Sequence, residues 1–256
     1  MKIVSWNCNS IRARIDRLLA YLASAQPDVL CLQELKCADD DYPRAELEAV
    51  GYQSAIHAQK TYNGVAILAR QAPTDVVLGL CDGVEDPQSR LIAATVNGVR
   101  VLSVYAPNGQ EIGSEAYVYK LKWYERLRAY LDSRERGSAQ LVVCGDFNIA
   151  PHDIDVHDPK AWEGQTLCSL PEREKLKLLV DFGLTDTFRQ LHPEEQKFSW
   201  WDYRMLGFPK NKGLRIDHVF ASKLLAEKCT EAAIDREERK GKLPSDHAPV
   251  WARFAL

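Results

Sequence analysis

Short apolar runs recur along this chain, and most of them stop at a polar residue. Residues Lys2 to Cys8, Asp28 to Gln33, Gln53 to His57, Gly64 to Arg70, Thr74 to Leu80, Leu91 to Val96 and Val99 to Tyr105 have this character. So do Leu141 to Cys144, Leu214 to Ser222, Cys229 to Ile234 and Val250 to Phe254. Their length and β-branched content predict strands, and the unbroken runs such as Leu141-Val142-Val143-Cys144 predict strands covered on both faces. Between Gln53 and Tyr105 the runs are closely spaced and separated by Gly, Pro and Asp. That spacing predicts antiparallel sheet, with Asn97-Gly98 as a two-residue hairpin turn.

A helical period replaces the strand pattern at four places. Ile11, Ile15, Leu18, Leu19 and Leu22 predict a helix from Ile11 to Ala25, ended before Pro27, and a short helix follows at Tyr42 to Val50. A longer one runs from Ser114 to about Arg134, with Leu121, Tyr124, Leu127 and Leu131 inward and a Lys- and Arg-rich outer face. Pro171 starts the fourth, which reaches Phe182. His152 to Leu170 is polar and turn-rich, and Phe198 to Lys212 is aromatic, basic and aperiodic, which predicts an exposed loop. No linker interrupts the series, so residues 1–256 are expected to form a single domain.

The ends of the runs carry the chemistry. Asn7 and Asn9 follow the first, Gln33 and Glu34 end the second, and Asn108 comes just after Tyr105. Asp146 and Asn148 follow Gly145, which permits a close backbone approach, while Asp217 lies within a run and Asp246-His247 precedes the last. In extended chain, residues two apart share a face, which would set Asp146 beside Asn148. A turn cap accounts for any one of these residues alone. Their recurrence instead predicts strand ends that converge on one acidic pocket.

Composition narrows the chemistry. With 46% hydrophobic and 27% charged residues the chain belongs with globular proteins, and no run approaches the roughly 18 apolar residues of a membrane span. The first residues enter a strand without a charged leader, so a cytoplasmic protein is expected. Seven cysteines without a C-x-x-C pair argue for reduced thiols over a disulfide framework or zinc knuckle, and Cys8, Cys31 and Cys144 read as small buried hydrophobes. A net charge of -3 neither demands nor excludes a nucleic-acid partner. Oxygen donors on Asn7, Asn9, Glu34, Asp146, Asn148 and Asp246 favour magnesium, manganese or calcium over zinc, and magnesium pairs naturally with a phosphate ester. His247 and Asp217 supply an imidazole with an orienting carboxylate.

The ordered stretches WNCNSIR, LQELK, YNGVAI, YAPNG, GDFNIAP, FSWWDYR, GLRIDH and PSDHAPVW resemble the bacterial exonuclease III proteins. These are relatives of apurinic/apyrimidinic endonucleases in the exonuclease, endonuclease and phosphatase superfamily that includes DNase I. The resemblance spans Lys2 to Phe254 and implies a four-layered α/β sandwich, two packed mixed sheets flanked by helices, with the site at one end. It implies that Glu34 is the main metal-binding carboxylate, helped by Asn7 and by Asp246 or Asp146, with Asn148 and His247 completing the group around the ion. Asp146 would orient and deprotonate the attacking water, Asn148 would hold that water or the transition state, and His247, oriented by Asp217, would donate to a phosphate oxygen. Tyr105 and Asn108 would contact the scissile phosphate.

For the substrate side, the resemblance implies an apolar slot of Trp200, Leu214 and Ile216 for a flipped abasic deoxyribose, with Asn63 and Arg90 as candidate DNA-backbone contacts. Aromatic residues interleaved with Arg204, Lys210 and Lys212 fit a nucleic-acid surface, although Phe198, Trp200 and Trp201 equally suit core packing. Asn9 stands where some relatives carry aspartate, and the basic Lys120 to Lys122 region offers no assignable phosphate contact. The expectation is a monomeric, magnesium-dependent (manganese-tolerant) DNA repair nuclease acting on double-stranded DNA with abasic sites or blocked 3′ ends. It would incise 5′ to the abasic site and trim 3′ ends as a 3′ to 5′ exonuclease. A superfamily phosphatase for a non-nucleic-acid phosphoester is the alternative, and it should lack the aromatic, basic loop.

Overall fold

The apolar runs become the strands of two sheets stacked face to face, in a computed structural model that describes residues 1–256. In chain order the strands are β1 Lys2–Asn7, β2 Val29–Gln33, β3 Gln53–His57, β4 Val65–Ala69, β5 Thr74–Leu78, β6 Leu91–Val96 and β7 Val99–Tyr105. They continue with β8 Leu141–Asp146, β9 Leu184–Asp186, β10 Trp200–Trp201, β11 Gly213–Leu214, β12 Asp217–Ser222, β13 Cys229–Ile234 and β14 Val250–Phe254. The helices are α1 Ile15–Ala25, α2 Arg44–Ala49, α3 Glu115–Tyr130, α4 Leu170–Phe182, α5 Thr187–Leu191 and α6 Lys223–Ala226.

One six-stranded sheet has the order β13-β14-β1-β2-β4-β3, the other β5-β6-β7-β8-β12-β9. Each is mixed: β1 runs parallel to β2 and β7 parallel to β8, and the remaining pairs are antiparallel. Between the sheets Ile3, Val29, Cys31 and Ile67 meet Val101, Val142, Cys144 and Val219. Outside the second sheet, Trp123, Tyr124 and Leu127 of α3 pack with Leu176 and Leu179 of α4. Outside the first, Leu18, Tyr21 and Leu22 of α1 cover Val4, Trp6 and Leu30. This is the expected four-layered sandwich, and strands covered on both faces explain why their sequences are unbroken apolar runs. No helix is long and apolar enough to cross a membrane.

The helix boundaries follow from their caps. Ser114 accepts a hydrogen bond from the Tyr117 amide at the start of α3. Ser169 and Glu172 form a capping box at the start of α4, and Gly183, with φ of 112°, closes it. Two expectations need correction. The segment Phe198 to Lys212 is not wholly an exposed loop: Phe198 and Trp201 are buried, and β10 pairs with β11. Trp201 meets Phe208 edge to face, with Arg236 and Arg239, from later in the chain, over its ring. The inner face of α3 also differs, because Leu121 is only half-buried while Lys120 is 0% exposed. The three-residue β9 and the short α5 were not legible as elements, being too brief for either period to register.

Candidate active site

Sheet register builds the site. Tyr105, Asp146 and Asp217 are direct partners across β7, β8 and β12, so three strands present them in one row at one edge. In the facing sheet Asn7 pairs with Gln33, which sets Glu34 just beyond the end of β2. Gly145 is required by close approach, since a Cβ there would stand 1.9 Å from the Val104 carbonyl oxygen.

The repeated two-residue spacing works through turns, not through shared faces of a strand. The Asn148 amide donates to Asp146 Oδ1 at 2.9 Å, and the Asn9 amide donates to Asn7 Oδ1 at 3.0 Å. Asn148 and Asn9 take left-handed φ of 50° and 45°, which asparagine tolerates well. The chain leaves the strand at each of these points, so residues two apart no longer share a face by strand alternation. The turn folds both polar groups back toward the pocket instead.

One amide joins the two sheets. Asn7 Nδ2 donates to Glu34 Oε1 at 2.8 Å and to Asp146 Oδ2 at 2.9 Å. Opposite it, His247 Nδ1 lies 2.8 Å from Asp217 Oδ2, and its Nε2 lies 3.7 Å from Asp146 Oδ2. Ser199 fixes the Asp217 carboxylate, donating at 2.6 Å while accepting from the amides of Ile216 and Asp217. Asn108 Nδ2 donates to Asn148 Oδ1 at 3.0 Å, and Asn148 Nδ2 donates to the Ala106 carbonyl at 3.0 Å.

Burial sets the electrostatics. Asp146 is 1% exposed, and burial pushes its carboxyl above the ordinary range against the pull of His247, with Asp217 adding to the rise. For His247 burial alone would disfavour the charged ring, but Asp217 and Asp146 outweigh it and raise its proton affinity. Burial, then Glu34 and Asp146, hold the Tyr105 hydroxyl protonated, as a neutral donor. Arg90 stacks over the Tyr105 ring at 4.7 Å and donates to its carbonyl at 3.1 Å, which fixes the ring.

The donor set fits a hard divalent cation. Ligand atoms of Glu34, Asp146 and His247 lie within 4.8 Å of one another, and the Lys36 ammonium already sits 2.6 Å from Glu34 Oε2. The carboxylate oxygens of Glu34 and Asp146 are the hard ligands magnesium or manganese takes, while the Asn7 amide turns its Nδ2 to both. Asp246 does not join this group. Its Oδ1 accepts from Asn9 Nδ2 at 2.9 Å and its Oδ2 from Trp200 Nε1 at 3.1 Å.

Comparison with known proteins places this geometry. The profile of the Endonuclease/Exonuclease/phosphatase family matches residues 4–247. The chain belongs to that family. Exodeoxyribonuclease III of Haemophilus influenzae is 41% identical over 266 residues, covering 99% of this chain and 100% of the relative. The 3′ phosphatase NExo from Neisseria, solved with a product DNA hairpin, superposes with a TM-score of 0.98 at 44% identity over 100% of both chains. An AP endonuclease from Archaeoglobus fulgidus gives a TM-score of 0.95 at 37% identity, again over 100% of both.

In this member of the endonuclease/exonuclease/phosphatase family the residues expected at the substrate divide. Asn108 is exposed and Trp200 is half-buried, both lining a groove of about 550 Å³ with Gln110, Trp162, Thr166 and Arg204. Leu214 and Ile216 are buried, packed with Val156 and Leu167, and neither lines the groove, so the expected apolar slot is not open at these two residues. The Asn63 side chain is buried and donates to Gln59 Oε1 at 3.0 Å, whereas Tyr62 beside it is exposed. Nothing in the sequence marked Ser199, whose hydroxyl belongs to no chemical motif. Lys36 lay in plain view in LQELK, and its i+2 spacing from Glu34 was the missed signal.

Proposed function

We propose that this chain is a magnesium-dependent DNA repair nuclease that incises the phosphodiester 5′ to abasic sites and trims 3′ ends as a 3′ to 5′ exonuclease. The observation that carries the reading is the register row Tyr105, Asp146 and Asp217, met by Asn7, Glu34 and His247 from other strand ends. The names of the relatives, an exodeoxyribonuclease, a DNA-bound 3′ phosphatase and an AP endonuclease, support the same class.

In this mechanism Glu34, with Asn7 and Asp146 beside it, would hold the cation, which neutralises charge developing on the phosphate. Asp146 orients the attacking water and takes its proton as the new P–O bond forms and the P–O3′ bond breaks, the departing 3′ oxygen taking a proton from solvent to become the new 3′ hydroxyl. Asn148 holds the water or the transition state, with its amide fixed by Asn108 and Ala106. His247, oriented by Asp217, donates to a non-bridging oxygen, and the protonated Tyr105 hydroxyl contacts the same phosphate. Each donor is set in place before substrate arrives, which is the condition for electrostatic stabilisation. The enzyme works as a monomer on double-stranded DNA.

The test is a duplex oligonucleotide with one abasic analogue, incubated with magnesium or with chelator. Incision at the analogue with magnesium only is expected, and no magnesium-dependent incision sinks the reading. Nicked, blunt and recessed 3′ ends in the same assay divide the endonuclease from the exonuclease activity.

A further inference from the structure

Lys120 is 0% exposed, yet its ammonium stands directly behind the site. It lies on the inner stripe of α3 with Tyr117, Tyr124 and Leu127, a position that helical period reserves for apolar side chains. Its three N–H donors meet three acceptors: the Asn108 carbonyl at 3.0 Å, the Asn148 carbonyl at 2.7 Å and Glu172 Oε1 at 2.5 Å. Glu172 is equally buried, and it is held by the amides of Leu167 and Ser169 and by the Ser169 hydroxyl.

The two carbonyls belong to loops that leave different strands, Asn108 after β7 and Asn148 after β8. Between the side chains of these residues runs the 3.0 Å bond that fixes the Asn148 amide. Packing adds to the hydrogen bonds, because a Cβ on Gly109, at φ of 91°, would fall 2.9 Å from Lys120 Cδ. The Asn108 loop therefore lies down on the lysine stem. A buried ion pair is weak support for stability, since an apolar pair of similar volume fills such space at least as well. An apolar pair would leave both carbonyls without a donor, however.

We propose that Lys120 is a positioning residue for the hydrolysis described above, setting the Asn108 and Asn148 side chains at their working separation through the two carbonyls. The proposal rests on that reading of the site. Lys120 touches no reacting atom and acts only through the asparagines. Glu172 is its counter-charge, and the link through the Leu167 amide joins the groove beside Trp200 to the same strut.

Two variants test it. In Lys120→Met/Glu172→Gln both buried charges go, and the single oxygen of the new carboxamide can accept from the Ser169 amide while the Leu167 amide loses its acceptor. With the abasic-analogue duplex this variant should fold with a lowered melting temperature, keep the wild-type KM and lose kcat about 100-fold, the scale of an ångström-level misplacement. Glu172→Gln alone leaves Lys120 on both carbonyls, so it should lose stability and keep most of its kcat. A folded double variant with wild-type kcat overturns the proposal, and so does a Glu172→Gln enzyme as impaired as the double variant. The side-chain amide resonances of Asn108 and Asn148 give a readout that needs no turnover. They should move in the double variant and stay in Glu172→Gln, and signals unmoved in both overturn the proposal even if the wild-type chain cleaves nothing. Absence of wild-type incision alone counts against the nuclease reading only.

Discussion

At Gly145 a single added carbon decides whether the site forms. Its backbone passes so near Val104 that Gly145→Ala requires β7 and β8 to part where Tyr105 and Asp146 are partners. The variant should lose about 1–3 kcal/mol or more of stability, read as a lower urea midpoint. An alanine enzyme as stable as the parent would show that the strands tolerate the strain. Asp146→Asn should instead leave the fold and duplex affinity intact and cut incision by up to about 10⁴-fold, measured by anisotropy and by cleavage of the same duplex. Weakened binding or a lowered melting temperature would mark Asp146 as structural. Single residues were partly legible. Glu34, Asp146 and His247 declared themselves because charged groups beside the ends of apolar runs need a partner or a task, and Asp217 because a charge inside such a run does. Asp246 did so too, yet it is occupied by Asn9 and Trp200. Which polar strand end faces the pocket depends on turns such as those at Asn7 and Asp146, whose direction the residue types alone do not state.

The elements follow local rules where those rules are strong. Ser169 and Glu172 at the head of α4 are a capping box readable in the sequence, and Ser169→Ala should cost about 1 kcal/mol, seen as a lower melting temperature. No change would mean that Glu172 and Lys120 hold that end without the hydroxyl. Strands were legible because burial on both faces makes a run apolar throughout, as in Val142, Val143 and Cys144. The β10 and β11 pair escaped notice because each has only two residues, and its aromatics resembled a surface patch. Half of that impression holds: Met205 is 83% exposed, while Trp201 is 0% exposed. Lys120 escaped because a lysine on a helix reads as surface unless its three partners, distant in sequence, are known.

For the whole molecule, pairing order was the least legible quantity, since similar apolar runs do not reveal their neighbours. The assembled fold has an acid sensitivity that no single stretch displays. Arg215 is buried between Asp155 and Asp186 at 2.7 Å each, with His218 Nδ1 3.0 Å away. Burial, then the Arg215 charge, lowers His218 to about 4 from an ordinary 6.5, so the folded state binds fewer protons than the unfolded chain in that interval. Stability from this group is therefore intact above about pH 6.5 and falls on acidification, by about 3 kcal/mol on reaching pH 4. Burial alone would raise Asp155 and Asp186, but Arg215 overrides it and lowers both, so their contribution is lost only below the ordinary carboxylate range. The raised Asp146 carboxyl works in the opposite direction, so the effect is read by difference: from pH 7 to pH 4 the urea midpoint of the native protein should drop relative to that of His218→Gln, and equal slopes would dismiss His218 as the sensor. The placement of β1 between β2 and β14 has a further consequence, for the order of events during synthesis. β1 waits for β14, which is made much later, with an open edge available for mispairing in the interval. The segment just before β14 also delivers His247, so a growing chain carries Asn7 and Glu34 on an unfinished sheet, and the proposed catalytic group is not assembled until β14 has emerged.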